Sequence, residues 1–406
     1  MSHSSGSDRV SVDQHLERVL SLMTPLGVQP VALTDALGCV AGAEVVAPFD
    51  LPRFDNAAMD GYAVRTADVA RAPVTLPVTD DLAAVARDEA VAALTQGSAA
   101  RIMTGAPVPP GADAVVRVEW TDGATDSVHI DRPVPVGRDL RKQGSDLRRG
   151  SVVLRAGMEL GPAQVALAAA LGLSDVAVHR RPWVCVVSTG SELVGTGETR
   201  SLPEGAVYDS NSVMLSALAE RAQARVLRLP AISDDPLTAH SVLATAAAEC
   251  DLVVTTGGVS AGAHEVMKDV LCGEPDFQFS QVSMKPGRPQ GAGIFEGTPV
   301  LTLPGNPVSA FVSFKIFVEP ALRKLSGHAE LGPFWRKATL SGHVATSTDM
   351  HSYVRGYFDE ASAGVVPSSG HAHGLAELST ANCLISVPPS GSVLASGEQV
   401  DVLPLG

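Results

Sequence analysis

Between residues 181 and 325 the chain repeats one pattern: a short apolar run, a turn of small residues, then a segment of helical spacing. Residues 183–188, 252–256 and 299–303 are apolar runs of strand length. The turns behind them read Thr189-Gly190-Ser191-Glu192, Thr255-Thr256-Gly257-Gly258-Val259-Ser260 and Leu303-Pro304-Gly305-Asn306-Pro307. Helical spacing follows at 210–222, 237–249 and 307–325, the first entered by the capping cluster Asp209-Ser210-Asn211. Strands alternating with helices predict an open parallel sheet with helices on both faces. Ligands of such sheets sit beyond the carboxyl ends of the strands.

The rest of the chain reads differently. Residues 1–8 are polar and suggest a tail, and 10–23 have helical spacing up to Pro25. Residues 29–130 read mostly as short strands, with 82–93 as a candidate helix. A basic run covers 138–149, and an Ala/Leu helix with Pro162 in its first turn covers 161–173. Residues 335–406 return to strands and turns. A chain of 406 residues is too long for one core and predicts two to four domains, with linkers at 174–181 and 326–334.

A net charge of −14 argues against a nucleic-acid or membrane binder, yet leaves room for a small anion held by local cations. Cys39, Cys185, Cys250, Cys272 and Cys383 form no C-x-x-C pair, so neither a disulfide framework nor a zinc cluster is expected. The polar N-terminus lacks a signal peptide's apolar segment, and no apolar run has the length of a membrane span. A cytoplasmic protein is expected.

Glycine permits close backbone approach, and N–H groups at a helix N-terminus attract oxyanions. An ordinary strand-to-helix turn accounts for each of the three turns alone; their shared sheet edge points to a phosphate-bearing ligand. Glu192, Asp234-Asp235 and Glu265 stand beside these turns. Carboxylates next to a phosphate cradle suit Mg²⁺, which completes its shell with phosphate and water. Helix capping competes for Asp234-Asp235, and a dipole-favoured first-turn acid for Glu265. The run 137–150 holds five of the thirty Lys and Arg residues, and Lys285-Pro286-Gly287-Arg288-Pro289 displays two cations on a proline-stiffened loop. Physics alone reads 55–62 and 101–107 as loops and names no reaction for them.

Taken together, FDNAAMDGYAV, IMTGAPVPPGADAVV, TGSEL, YDSNS, TTGGVSAG, MKPGRP and LPGNPVSA resemble the molybdopterin molybdenumtransferase family, known as MoeA in bacteria and as the E domain of gephyrin. The seven motifs run in the family's order from Phe54 to Ala310. The resemblance implies a multidomain α/β plus β fold. Its parts are a linking α+β domain (9–50 and 138–180), a small β-rich domain (51–137), a three-layer α/β molybdopterin-binding, adenylyltransferase-like domain (181–328) and a C-terminal β-barrel-like domain (329–406). It also implies a homodimer whose active site joins the α/β domain of one subunit to the small upstream domain of the other. The implied substrates are adenylylated molybdopterin and molybdate, with Mg²⁺-dependent release of AMP and transient contact with molybdopterin adenylyltransferase.

Position by position, Asp60 and Thr104 match the family's functional residues in MDGYA and TGAP, and Arg141 and Asp146 those of the basic run. Glu192, Asp234 and Glu265 match its acid group and are the implied Mg²⁺ ligands. Pro304 and Pro307 match the PGNP turn; Lys285, Arg288, Ser309 and Arg355 are similar to its molybdate contacts. Ser191, Gly257, Gly258, Ser260 and Asn306 complete the expected binding set. Three positions depart. Glu265 stands where the family often has Asp, and Arg288 where it often has Lys, exchanging a point charge for a planar fork. Gly370-His371-Ala372-His373-Gly374 stands where the family has a Ser beside molybdate.

The implied mechanism uses no nucleophilic Ser or Cys: cations offset repulsion between two anionic reactants, and fixed positions supply proximity. Two rivals are adenylylation of molybdopterin, against which residues 29–150 and 335–406 speak, and scaffolding of the gephyrin kind, which accompanies a second enzyme domain. The residues leave molybdenum and tungsten undistinguished.

Overall fold

The computed structural model describes residues 9–197, 201–259, 265–368 and 374–405. The expected contributions of Ser260 and of His371-Ala372-His373 lie outside the described residues. The chain packs as two compact units, one formed by residues up to 43, 156–165 and 174 onward, the other by 44–155 and 166–173.

In the first unit a seven-stranded sheet runs in the order Arg9–Val10, Gln278–Val282, Pro289–Phe295, Thr298–Leu303, Leu252–Thr256, Trp183–Ser188, Arg225–Arg228. The last four strands are mutually parallel. Side chains alternate across the sheet. Val184, Val186, Leu252 and Val254 join one core with helices Val12–Ser21 and Asn211–Arg221 and the helix that begins at Pro307. Cys185, Val187 and Val253 join a second core with helices Pro236–Glu249 and Val266–Leu271. The central strands are therefore apolar on both faces, and the body has three layers. Each fully buried Val or Leu contributes roughly 1.5–3 kcal/mol.

The sheet is mixed rather than parallel, which corrects the sequence expectation. Pro289–Phe295 is antiparallel to both neighbours. Glu296 and Gly297, with φ of 47° and 85°, close a two-residue turn onto Thr298–Leu303. Positive φ at both positions suits a tight hairpin, whereas a parallel connection needs a crossover of about a dozen residues. Strands 9–10 and 278–282 were not foreseen.

The first helix spans Val12–Ser21, shorter than expected, and is closed by a reciprocal Ser11–Gln14 capping box. The segment 307–325 is helical, but a π turn at Phe314–Val318 joins Pro307–Ser313 to Glu319–Leu325. Pro320 has no N–H for the carbonyl four residues back, and the wide turn absorbs the break. Residues 83–93 are not helical. They are mostly exposed, and a short Ala-rich segment without a packing partner is marginal as a helix in water.

The C-terminal strands close into a five-stranded barrel in the cyclic order His351–Asp359, Gly364–Pro367, Arg336–Leu340, Gln399–Pro404, Cys383–Val387, the last pairing back on the first. Closure removes the sheet edges, and Val365, Cys383, Ile385 and Val402 fill the interior. Met284–Lys285 adds a short parallel strand to His351–Asp359.

The second unit holds the sheet Ala114–Arg117, Gly61–Val64, Ala99–Ile102, Val74–Leu82, Ser127–Ile130. Tyr62, Val64 and Val116 pack on one face; Ala63, Ala100 and Val115 pack on the other. No helix among the described residues is long and apolar enough to cross a membrane.

Candidate active site

In the first unit all three glycine-rich turns line a single cavity of about 470 Å³ at the carboxyl ends of the parallel strands. Its walls include Thr189, Gly190, Thr256, Gly257, Pro304 and Asn306. The turns are tied to one another. Asn211, at the start of its helix, donates from Nδ2 to Thr256 Oγ1 (3.0 Å) and to the Gly305 carbonyl (2.8 Å). Thr256 Oγ1 donates in turn to the Pro304 carbonyl (2.8 Å). Gly257 has φ 94°, and a Cβ there would lie 2.4 Å from the Thr189 carbonyl, so two turns meet only because this residue is glycine. Asn306 caps the next helix, accepting from the Ser309 N–H (3.2 Å), with Pro307 in the first turn.

The two adjacent acids, undivided in sequence, have different jobs. Asp235 caps helix Pro236–Glu249, accepting from the Thr238 N–H (2.8 Å) and hydroxyl (2.6 Å), bonds that hold its carboxyl below the usual range. Asp234 lines the cavity and accepts from the N–H (3.0 Å) and hydroxyl (2.9 Å) of Ser191. Glu192 and Glu265 line the same cavity, Glu265 as the N-cap residue of Val266–Leu271. No cluster of three or more His, Cys, Asp or Glu among the described residues is grouped to hold a metal. Glu192, Asp234 and Glu265 thus share a cavity without forming a closed protein cage, and a hard cation there would take most of its shell from ligand oxygens and water.

The Lys285–Pro289 loop lies between this cavity and the barrel. Gly287 and Pro289 line the cavity of the three turns. Lys285 instead lines a neighbouring cavity of about 220 Å³ with Pro286, Val308, Ser352, Arg355 and Ser368. The loop is braced from below: buried Gln290 donates from Nε2 to the Gly287 carbonyl and to Ser313 Oγ, each at 2.6 Å. Arg288 is exposed, lines neither cavity, and reaches Met350 Sδ at 3.0 Å. Ser309 lines the cavity of the three turns, so the four residues expected around an oxyanion are distributed: Lys285 and Arg355 share one cavity, while Ser309 and Arg288 stand elsewhere.

In the second unit the MDGYA and TGAP loops are laced together. Gly105 N–H donates to the Ala57 carbonyl (2.8 Å), and the Ala106 carbonyl accepts from the Ala57 N–H (3.1 Å). Asp60 Oδ1 accepts from the Thr104 N–H at 2.6 Å. That bond, with help from the Thr104 hydroxyl, holds the exposed Asp60 carboxyl below its ordinary range. Gly61 is required by packing, since a Cβ would sit 1.9 Å from the Val116 carbonyl. Arg141 pairs through its backbone with Asn56 across two short strands, and the Asp146 N–H donates to Leu51; both side chains are exposed. Part of the basic run is neutralised locally, Lys142 by Asp55 (2.8 Å) and Arg138 by Asp139 (3.1 Å).

Thr189 and Thr256 were read within the glycine-rich turns and Asn211 within a capping cluster, but none was singled out as a site residue; Gln290, Ser352 and Ser368 were missed, as single polar residues whose role depends on which loops meet.

Comparison with known proteins agrees with this architecture. The chain matches the family model for the MoeA N-terminal region (domain I and II) at residues 10–172, a probable molybdopterin binding domain at 185–324, and the MoeA C-terminal region (domain IV) at 337–405. It is 43% identical over 405 residues to molybdopterin molybdenumtransferase 2 of Mycobacterium tuberculosis, covering 97% of this chain and 98% of that one. It is 31% identical to the Staphylococcus aureus molybdopterin molybdenumtransferase over 402 residues, covering 97% and 95%. The crystal structure of the Pyrococcus horikoshii molybdopterin biosynthesis moeA protein superposes with a TM-score of 0.82 at 30% identity, covering 97% and 99%. With three family models in order along the chain, 97% of it aligned to a relative at 43% identity, and the fold shared with the Pyrococcus horikoshii protein, the chain belongs to the molybdopterin molybdenumtransferase family.

Proposed function

We propose that this protein inserts molybdenum from molybdate into the dithiolate of adenylylated molybdopterin, with release of AMP, in molybdenum cofactor biosynthesis. The observation that carries the reading is the convergence of three glycine-rich turns and three carboxylates on one cavity. The turns bind the phosphate and pyrophosphate of the substrate, with backbone N–H groups and the Pro307 helix start facing its oxygens. Asn211 and Thr256 keep the turns at fixed spacing, which supplies proximity without reorganisation during reaction. From among Glu192, Glu265 and Asp234 one or two carboxylates would hold Mg²⁺, with phosphate oxygens and water completing its shell. When bound, that ion polarises the pyrophosphate and offsets charge on departing AMP. Lys285 and Arg355 bind molybdate, and Arg288 adds positive field from the rim. Asp60, ionised and held by Thr104, together with Arg141 and Asp146, completes the site from a second copy of the chain. The reading includes a cytoplasmic homodimer, the four-domain division and transient delivery of substrate by molybdopterin adenylyltransferase.

The test is release of AMP by the purified protein given adenylylated molybdopterin, Mg²⁺ and molybdate. The reading expects release that Glu192→Ala reduces at least tenfold, as loss of a charge-stabilising group does. Release no greater than that of the variant rejects it.

A further inference from the structure

Arg355 lies on the face of the strand His351–Asp359 opposite Val354, which packs on the barrel core, and is only 6% exposed. It lines the 220 Å³ cavity together with Lys285, Ser352 and Ser368. Its charge is already matched. Nη2 lies 2.7 Å from Glu377 Oε2, whose side chain is 19% exposed, and Nη1 donates to the Gly374 carbonyl at 2.7 Å. Lys285, by contrast, is exposed and has no acidic partner among the described residues. A tetrahedral dianion entering this cavity therefore meets one open cation and one that is compensated.

We infer that Glu377 sets the oxyanion affinity of this cavity, as the resident counter-ion that an incoming dianion must share or displace at Arg355. Removing one member of a buried ion pair leaves the other charge without compensation. In a cavity open to solvent, that charge is met by whatever anion can enter, and charge pairs at such range couple strongly. Glutamine at 377 retains an oxygen acceptor for the guanidinium, so Arg355 stays oriented while the competing charge is lost. The effect is opposite in sign to that of losing any residue that contacts the anion. Glu377 touches no reactant; it acts through Arg355.

The inference rests on the proposed oxyanion role of Lys285 and Arg355, and the experiment separates the two. Calorimetric titration of the full chain with sodium molybdate alone would compare the unaltered protein with Lys285→Gln, Arg355→Gln, Glu377→Gln, Glu377→Asp and the double variant Arg355→Gln/Glu377→Gln. The expected results are about tenfold tighter binding for Glu377→Gln, an intermediate gain for Glu377→Asp, and no gain when Arg355 is also replaced. Should Glu377→Gln unfold, Glu377→Asp carries the same sign test. Binding that Lys285→Gln abolishes while either Glu377 variant leaves it unchanged or weaker overturns the inference alone. No binding by the unaltered protein, or binding indifferent to both Lys285 and Arg355, overturns the oxyanion reading and the inference with it.

Discussion

At the scale of single residues, the cavity depends on hydrogen bonds that span loops far apart in the chain. Asn211→Ala removes both donors to Thr256 and Gly305. The expected cost is roughly 1–3 kcal/mol of stability, read by urea unfolding, with KM for the pterin nucleotide rising more than kcat falls. Thr104→Val should leave Asp60 with the backbone bond only, so its carboxyl titrates closer to the ordinary range in an NMR titration. The sign follows from a depressed folded pKa: the stabilisation is present above the unfolded carboxylate pKa and is lost as pH falls through the folded value. The acids of the site were legible as candidates. Their division of labour was not, because Asp234 and Asp235 both precede Pro236 and only the path of the turn sends one to Thr238 and the other to Ser191.

Among elements, the strands 183–188 and 252–256 were legible to the residue because they are apolar on both faces and end in glycine turns. The hairpin 289–303 was not, since the glycine-rich strand Pro289–Phe295 has little apolar signal and its direction is decided by two positive-φ residues. The helix after Pro307 was legible as a length but not as a π-turned one, because periodicity does not register a single wide turn. Gln290 lies in the strand that sequence reasoning missed, and it gives that strand its part in the site. Gln290→Leu keeps the position filled and buried but makes it apolar, releasing the Gly287 carbonyl and Ser313 Oγ. Hydrogen exchange at Gly287 and Arg288 should then quicken and molybdate binding weaken severalfold, with the barrel's exchange unchanged. Equal exchange in both proteins would remove Gln290 as the brace.

The whole molecule carries an acid sensitivity that its composition does not announce. His15 is buried edge-on against Phe317, with ring centroids 4.7 Å apart and no hydrogen-bond partner for Nδ1 among the described residues. Burial, aided by Arg18, pushes its pKa down to about 4. The unfolded chain takes up this proton near pH 6.5, so stability present above that value falls as pH drops toward 4, by roughly 3 kcal/mol in full. Urea midpoints at pH 7 and pH 4.5 should separate for the unaltered protein and draw together for His15→Leu.

The largest claim is that the Asp60 loop of one subunit completes the cavity of the three turns in another. Isolated sequence motifs made both halves legible, since each keeps its residues within a few positions, but motifs carry no information on which copy supplies which half. Mixing two inactive variants decides it directly. Asp60→Asn and Glu192→Gln, unfolded together and refolded as a mixture, would form hybrid dimers in which one shared site carries both changes and the other carries neither. The account predicts recovery of about a quarter of wild-type AMP release from the mixture; a mixture no more active than its two parents would contradict it.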